Sequence, residues 1–444
     1  MAARGEQPTL APAVTTNTAA TGTSMASPAS TDTPDSMLLL KGLPTVATTP
    51  TPFDITPEQP ILTELTLEER QLMFREVWQI VNENYVYPDF RGLDWNAVWV
   101  EFAPRVNATR TDEELYTLLS EMVERLNDHH SRFLAPSAAV AEKALSIGHE
   151  SHVGIGVVTI PAGDGAIIQQ VFADSPAARA GLRPRDRIVQ VNGEPFLTGR
   201  DIVGEEGTLV SLSIMRPDAG EQLHEVVLTR QSVVGRIEPT VRRLDGDIGY
   251  IAIPTLWVHD MNDQVSGALT DLVVERPLRG VIIDLRGNPG GWRDVLTGTL
   301  GHFVRGNVGS FYDRQGTRAL IIRQGSGPDL RGMPLVVLVD RATASYAEVL
   351  AGVLQTEANA HVIGVPSAGN TETIYAYELA GGARLWVAQE GFRLLNGSNL
   401  EGQGVQPDKL IDEDWVQYSE ARDPHILAAL HYFGVGRKLN DGGE

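Results

Sequence analysis

The sequence predicts a mixed α/β fold, because its hydrophobic pattern changes twice along the chain. Residues 61–145 carry apolar side chains at helical spacing, and residues 146–236 consist of short β-rich runs separated by Gly, Pro and Asp. Residues 237–444 alternate strands with helices, which implies a mostly parallel sheet buried between helices. We therefore expect a helical N-terminal subdomain, a β-rich domain and an α/β core.

Residues 1–60 differ from the rest in composition. Ala, Thr, Ser and Pro dominate and aromatic residues are nearly absent, so the segment has too little apolar surface to offset the entropy lost on folding. We predict a disordered tether. Tethers of this composition are common in secreted and cell-envelope proteins, so we expect an extracytoplasmic location. The start, MAARGEQ, has no apolar stretch of a secretory signal, so we expect the native signal to be absent from this sequence. A cytoplasmic protein with a flexible tail is the alternative.

The composition excludes several function classes. The chain has 444 residues and 36 Lys+Arg against 57 Asp+Glu, and a net charge of −21 argues against a nucleic-acid partner. No apolar run approaches the ~18 residues that a membrane-spanning helix needs. The absence of cysteine excludes disulfides, thiolate metal sites and cysteine nucleophiles.

The helical segment is predicted to contain three helices. The first lies in the run LTLEERQLMFREVWQIVNENYV, and Thr66 is a suitable cap for it, because acidic residues follow Thr66 in the first turn. A second helix fits LDWNAVWVEFAPRV, and a third follows Thr111, with Glu114 completing a capping-box pattern.

The β-rich segment resembles a PDZ domain. The resemblance rests on DSPAARAGLRPRDRIVQVNGEPF and on the loop that starts at Gly154. In PDZ domains the backbone N–H groups of this loop bind the C-terminal carboxylate of a peptide, which then adds a strand to the sheet edge. The resemblance implies that Ile155, Gly156 and Val157 bind a partner with a free apolar C-terminus. The alternative is a small β-domain in which Gly-Ile-Gly is only a turn.

In the α/β core, two loops follow the carboxyl ends of predicted strands, and active-site residues of such folds lie in loops at this edge of the sheet. One loop contains Gly290 and Gly291, whose missing side chains allow the backbone to approach a ligand closely, although a tight turn would also use them. The other ends at Ser345, which precedes a predicted helix. Its hydroxyl could be a nucleophile near backbone N–H groups that stabilise an oxyanion, or it could be a helix cap.

The order of the core motifs resembles that of the C-terminal processing peptidases, also called tail-specific proteases. DLRGNPGG, ATASYAEVLAG, HVIGVPSAGNT and EGQGVQPD occur in that order, and ENYVYPDFRGLDW and NDHHSRFLAP match as well, so the resemblance covers about residues 65–415. It implies a crotonase/ClpP-like core and Ser345 as the nucleophile. It also implies an oxyanion hole formed by the N–H of Gly290 or Gly291 and that of Tyr346.

One position departs from this family. Many members use a lysine as general base where this chain has Asn370, and none of the four lysines stands in a core loop. A second branch, similar to the tricorn core protease, uses serine, histidine and glutamate instead. The resemblance to that branch implies His130 as the base and Glu401 as the carboxylate that orients its imidazole. His129 is an alternative base, and Ser131 is the alternative for the additional serine of that branch.

We therefore expect a serine endopeptidase that cleaves proteins or peptides and needs no cofactor. A metal site is not expected, because the four histidines between residues 129 and 152 have no cysteine or tight carboxylate cluster beside them. The alternatives are a catalytically inactive relative that binds peptide C-termini as a scaffold, and a hydrolase or ligand binder on the same crotonase-like core. The oligomeric state is left open.

Overall fold

The computed structural model describes residues 64–128, 130–146, 149–162, 165–196, 199–217 and 222–435. The predicted tether lies outside these ranges, as does His129.

The helical segment contains the three predicted helices: α1 (Leu67–Asn84), α2 (Trp95–Asn107) and α3 (Asp112–Glu124). The predicted cap of α1 is confirmed, since the Thr66 side chain accepts the Glu69 N–H and the Glu69 carboxylate accepts the Thr66 N–H at 2.7 Å. Asp94 and Thr111 cap the other two helices in the same way, through side-chain oxygens. A short strand, β1 (Arg132–Leu134), and a helix, α4 (Pro136–Ser146), follow.

The β-rich segment forms an antiparallel sheet with the strand order β3-β4-β5-β7-β8, and β6 pairs with β5. Its strands are β3 (Val157–Ala162), β4 (Gly165–Val171), β5 (Arg187–Val191), β6 (Glu194–Pro195), β7 (Leu209–Met215) and β8 (Leu223–Thr229). A separate pair, β2 (His149–Gly154) and β9 (Gln231–Arg236), closes the segment, and the short helix α5 (Pro176–Arg179) follows β4. The run HVGIGVVTI is therefore two strands, because Gly156 adopts a φ of +83° and turns the chain between them.

The α/β core has a six-stranded sheet with the order β10-β11-β12-β15-β16-β19, in which only β10 is antiparallel to its neighbour. These strands are β10 (Thr240–Leu244), β11 (Ile248–Ala252), β12 (Gly280–Asp284), β15 (Leu335–Val339), β16 (His361–Gly364) and β19 (Lys409–Leu410). Every residue of β12 and β15 is buried, as expected for strands covered on both faces.

Helices cover both faces of this sheet. They are α6 (Met261–Glu275), α7 (Arg293–Leu300), α8 (Tyr346–Glu357) and α9 (Pro424–Tyr432). Val281 and Val337 pack with α6, α7 and α8 in one apolar cluster, whereas Ile282 and Val336 face the other way and pack with α9. The alternating strands and helices of the sequence therefore predicted the core layers.

A second sheet was not predicted. It contains β1, β13 (Gly306–Asp313), β14 (Gly316–Ile322), β17 (Thr373–Glu378) and β18 (Arg384–Leu394), in the order β1-β18-β13-β14 with β17 also paired to β18. Pairing of β1 with β18 joins the helical segment to the core, which places residues just before Arg132 beside the loops that follow the core strands. Among the described helices, none is both long and apolar enough to cross a membrane.

Candidate active site

Ser345 lies at the turn between β15 and α8 with a strained backbone, at φ +56° and ψ −130°. Non-glycine residues adopt such angles only where the surroundings hold them, and these residues cluster at functional sites. Two contacts hold this one: the Ser345 N–H is donated to the Asn370 carbonyl at 2.7 Å and to Glu348 Oε2 at 3.0 Å. The geometry resembles the sharp strand-to-helix turn that presents a nucleophilic serine in other hydrolase folds.

Glu348 is the group that joins this turn to the loop after β16. Its carboxylate is fully buried, and it accepts hydrogen bonds from Ser367 Oγ at 2.6 Å, from Gly369 N–H at 2.6 Å and from Asn370 N–H at 2.8 Å. Burial raises the pKa of Glu348 despite these donors. The carboxylate therefore fixes Asn370 and Ser345 relative to each other.

The Gly-rich loop after β12 approaches Ser345 closely. A Cβ placed on Gly290, which has a φ of +85°, would lie 2.6 Å from the Ser345 Cβ and 2.9 Å from the Tyr346 backbone nitrogen. The Gly290 N–H itself is donated to the Asn288 side chain at 2.8 Å, and the Gly290 carbonyl accepts the Leu256 N–H. These hydrogen bonds hold the loop in place, and the Gly290 N–H is already donated within the protein.

His130 reaches the core from the loop before β1 and is 5 % exposed. Its backbone N–H is donated to Asp128 Oδ1 at 2.9 Å. Ser131 Oγ donates to Asp128 Oδ2 at 2.7 Å and accepts the Ala388 N–H of β18 at 3.0 Å. The contacts of Ser131 therefore attach this loop to the second sheet. His129 lies outside the described residues.

The imidazole of His130 is held as a neutral group. Burial is the main cause, and the cations of Arg132 and Arg91 add to it, so the pKa falls to about 4. Its Nε2 atom lies 3.9 Å from Glu372 Oε2, and neither atom has a hydrogen-bond partner within the described protein. A neutral buried imidazole near pH 7 can accept a proton.

Glu372 is a member of the site that the sequence analysis missed. It is 1 % exposed, and its Oε1 atom is bonded to Arg91, which comes from the turn after α1. Burial and the negative charge of Glu401 raise the pKa of Glu372 to about 7. The one sequence signal was an acidic residue in the loop after the predicted strand HVIGVP, which contains β16.

Glu401 lies in the same cluster but has its own partners. It accepts the Thr371 N–H at 2.8 Å and lies 3.3 Å from Arg91 Nη2. One ligand-type atom of each of Glu401, Glu372 and His130 lies within 4.8 Å of the others. Of these two carboxylates, Glu372 is the one whose ion-pair contact with the His130 imidazole is seen in the described structure.

Ser345, His130, Asn370 and Glu372 line a single cavity of about 690 Å³. Its walls are mainly apolar and aromatic, and they include Trp257, Trp292, Tyr346, Ile374, Ala376 and Trp386. No lysine lines it among the described residues. The structure therefore brings together at one cavity the predicted nucleophile Ser345, the predicted base His130 and Asn370.

The predicted peptide-binding loop lies away from this cavity, at the start of β3. The side chains of Ile155 and Val157 are buried in the β-domain core, so only their backbone could contact a peptide. Strand β3 lies at the end of its sheet, with β4 as its one neighbour in the described strand order. The β3 residue Ile160 also packs against the Gly-rich loop, because a Cβ on Gly287 would lie 2.3 Å from its Cδ1.

Three family models match the chain. Residues 247–411 match Peptidase family S41, residues 67–124 match the Tricorn protease C1 domain, and residues 167–204 match a PDZ domain. A carboxyl-terminal-processing protease of Synechocystis sp. is 28 % identical over 373 residues, which cover 81 % of this chain and 85 % of the relative. Carboxyl-terminal-processing peptidase 2, chloroplastic, of Arabidopsis thaliana is 28 % identical, with coverage of 82 % and 74 %. The solved photosystem II D1 C-terminal processing protease superimposes with a TM-score of 0.55 at 25 % identity, covering 78 % of this chain and 94 % of that one.

Proposed function

We propose that this chain, a serine peptidase whose residues 247–411 match Peptidase family S41, is an endopeptidase in which Ser345 is the nucleophile and His130 the general base. One observation carries the proposal. A serine held in strained backbone geometry shares a cavity with a buried, neutral histidine that comes from a distant part of the chain.

The oxyanion would be stabilised by backbone N–H groups beside Ser345. The first N–H groups of a helix lack partners within the helix, and Tyr346 is the first residue of α8. Gly290 is less suited to donate, since its N–H is already bonded to Asn288. We therefore assign the oxyanion hole to the N–H groups of Tyr346 and Gly291, with Gly290 providing the space beside them.

In the proposed mechanism the neutral imidazole of His130 accepts the Ser345 hydroxyl proton as the oxygen attacks the peptide carbonyl. The imidazolium that forms is stabilised by the Glu372 carboxylate. Arg91 contacts both Glu372 and Glu401 and so links the two carboxylates. The imidazolium then gives its proton to the leaving amine, and water completes the hydrolysis of the acyl-enzyme.

Asn370 occupies the position of the family lysine but has no basic group. Its backbone carbonyl and N–H hold Ser345 and Glu348, so its role in this proposal is to position the nucleophile. The lysines within the described residues are Lys143 in α4 and Lys409 in β19, and neither lines the cavity. This arrangement favours the histidine-based site over a serine–lysine dyad.

The substrate would be a protein or peptide with a free apolar C-terminus. The edge of β3 that has no partner strand in the described sheet would accept that C-terminus as an added strand, and residues 146–236 would form the PDZ domain. An extracytoplasmic location is part of this proposal and rests on the composition of the tether.

A fluorophosphonate probe tests the nucleophile directly. We expect labelling of the wild-type chain and cleavage of an unfolded protein substrate, both lost in Ser345→Ala. The matched control is Ser266→Ala, since the Ser266 hydroxyl also lies beside a histidine, 2.9 Å from His302 Nε2, in a buried position outside the cavity. Labelling that persists in Ser345→Ala and disappears in Ser266→Ala would contradict the assignment. No labelling of the folded wild-type chain would favour the inactive scaffold.

The PDZ part of the proposal needs a separate measurement. A peptide with an apolar C-terminus is expected to bind, whereas the same peptide with an amidated C-terminus is expected to bind at least tenfold more weakly, because the backbone donors require a carboxylate. Equal affinity for the two peptides would contradict C-terminal recognition.

A further inference from the structure

His130, Glu372 and Glu401 form a cluster with the donor types of a metal site. One imidazole nitrogen and two carboxylate oxygens, one from each side chain, lie within 4.8 Å of one another. The three residues come from three distant parts of the chain, so the fold and not local sequence brings them together.

The second observation is that two of these atoms have no partner. His130 Nε2 and Glu372 Oε2 are buried, face each other at 3.9 Å and make no hydrogen bond with the described protein. His130 is 5 % exposed and Glu372 1 % exposed. Leaving buried polar atoms unsatisfied is costly, so the pair favours a ligand that both atoms can bind.

The charge and spacing fit a small cation that accepts nitrogen ligands. When both carboxylates are ionised and His130 is neutral, the single positive charge of Arg91 leaves the cluster with one net negative charge. Ligand atoms of a tetrahedral Zn²⁺ site lie about 3.4 Å apart, so closure around Zn²⁺ needs movements of only about 1 Å. Mg²⁺ and Ca²⁺ prefer oxygen ligands throughout, which makes them poorer candidates.

We propose that His130, Glu372 and Glu401 bind a Zn²⁺ ion, and that the bound ion inhibits the peptidase. The inhibitory part rests on the proposed function, because Zn²⁺ on Nε2, the nitrogen that faces Glu372, requires the neutral imidazole to carry its proton on Nδ1, so that no lone pair remains to accept the Ser345 proton. Arg91 opposes the ion, since it contacts both carboxylates and carries a positive charge. The site thus has two states: in one, Arg91 is the only cation that neutralises the two carboxylates, and in the other they also bind zinc.

Zinc binding is tested on the full chain with Ser345→Ala, which keeps all three ligands and cannot digest itself. Titration calorimetry is expected to find one Zn²⁺ site per chain that is weakened at least tenfold by an added Glu401→Gln or Glu372→Gln. An added Arg91→Gln is expected to tighten binding severalfold, a gain that misfolding would not produce. Co²⁺ in the same site is expected to show the visible absorption of a tetrahedral nitrogen–oxygen environment.

The control is His361→Ala, because His361 lies 3.8 Å from Asp408 at the surface and could hold zinc nonspecifically. Binding that survives both Gln substitutions, or that disappears with His361→Ala, overturns the proposed site. Binding that is weakened by the Gln substitutions and unchanged by His361→Ala supports it.

Activity is measured separately on the wild-type chain. We expect Zn²⁺ to abolish substrate cleavage at concentrations that saturate the site, EDTA to restore it, and Mg²⁺ and Ca²⁺ to leave it unchanged. Zinc that binds the cluster without reducing cleavage overturns the inhibitory role. A wild-type chain that is inactive even in EDTA contradicts the proposed function, whereas the calorimetry still decides the metal site.

Discussion

At the scale of single residues, burial shifts the pKa values of His130 and Glu372 in opposite directions. The imidazole falls to about 4 and the carboxyl rises to about 7, in each case because burial disfavours the charged form. Near neutral pH the imidazole is therefore unprotonated, and Glu372 in its ionised form would stabilise the cation that forms when the imidazole accepts a proton. This pairing suits a general base that must be neutral at rest and charged only during reaction.

The raised pKa of Glu372 makes stability depend on pH. Its folded-state pKa lies above the ordinary 4.5, so the protonated form stabilises the fold at low pH, and this contribution is lost as pH rises through about 7. We expect the stability of wild type relative to Glu372→Gln to fall by about 3 kcal/mol between pH 4.5 and pH 8. Urea unfolding at the two pH values measures this change. The control is Glu101→Gln, at an exposed position. If the free energies of unfolding of wild type and Glu372→Gln differ by the same amount at both pH values, the prediction is wrong.

The residues of the site differed in how readily sequence could predict them. Ser345 and Asn370 stand in recognisable motifs next to predicted strands, and the structure places both at the cavity. Glu372 was missed because its role depends on contacts with His130 and Arg91, which are distant in sequence. For the same reason no metal site was predicted, since no local pattern shows that Glu372 joins His130 and Glu401 in one cluster.

At the scale of elements, the site depends on one close approach between two loops. Gly290 lies against Ser345 and Tyr346. The loop is anchored by the Leu256 N–H, which is donated to the Gly290 carbonyl, and by the Asn288 side chain, which donates to the Ile253 carbonyl. The loop therefore has little room to withdraw from the turn at Ser345. A side chain at position 290 would have to displace the nucleophile.

We expect Gly290→Ala to lower kcat/KM by at least about 100-fold, because a shift of about 1 Å at the reacting centre costs that much. The matched control is Gly207→Ala, since Gly207 has a similar φ of +81° but open space around its Cα. Both variants incur the backbone strain of a left-handed alanine, and only the first has the clash. Steady-state cleavage assays compare them, and equal losses in the two variants would refute the close-approach explanation.

The elements that the sequence predicted have a clear apolar pattern, and those that it missed do not. The helices α6 and α8 and the strands β12 and β15 were predicted because each has a long apolar period or an uninterrupted apolar run. The hairpin β13–β14 was missed because its exposed, polar residues give no clean alternation. Its pairing with β18 is a long-range contact, and propensity carries no information about it.

At the scale of the whole molecule, Asp423 joins three parts of the fold. Its carboxylate accepts bonds from Arg286 at the start of the Gly-rich loop, from Arg185 of the β-rich domain, and from the His425 N–H at the start of α9. Arg286 and Asp423 are fully buried, so these charges depend on each other. The same network therefore joins the Gly-rich loop to the β-rich domain and to α9.

We expect Asp423→Asn to reduce the free energy of unfolding by about 3 kcal/mol, because it leaves two buried or half-buried arginines with fewer negative partners. Asp412→Asn is the control, as its pair with Arg341 is largely solvent-exposed and should contribute less than about 1 kcal/mol. Chemical denaturation at neutral pH measures both. If both variants lower the free energy of unfolding by a similar small amount, the hydrogen bonds of Asp423 do not stabilise the fold as we propose.

The central claim is that His130 is the general base for Ser345. The most direct measurement is kcat/KM for cleavage of an unfolded protein by His130→Ala, with the thermal midpoint recorded to show that the variant is folded. We expect a loss on the order of 10⁴-fold, together with loss of fluorophosphonate labelling at Ser345, while His361→Ala remains within a fewfold of wild type. A folded His130→Ala chain that cleaves and labels like wild type would contradict the account.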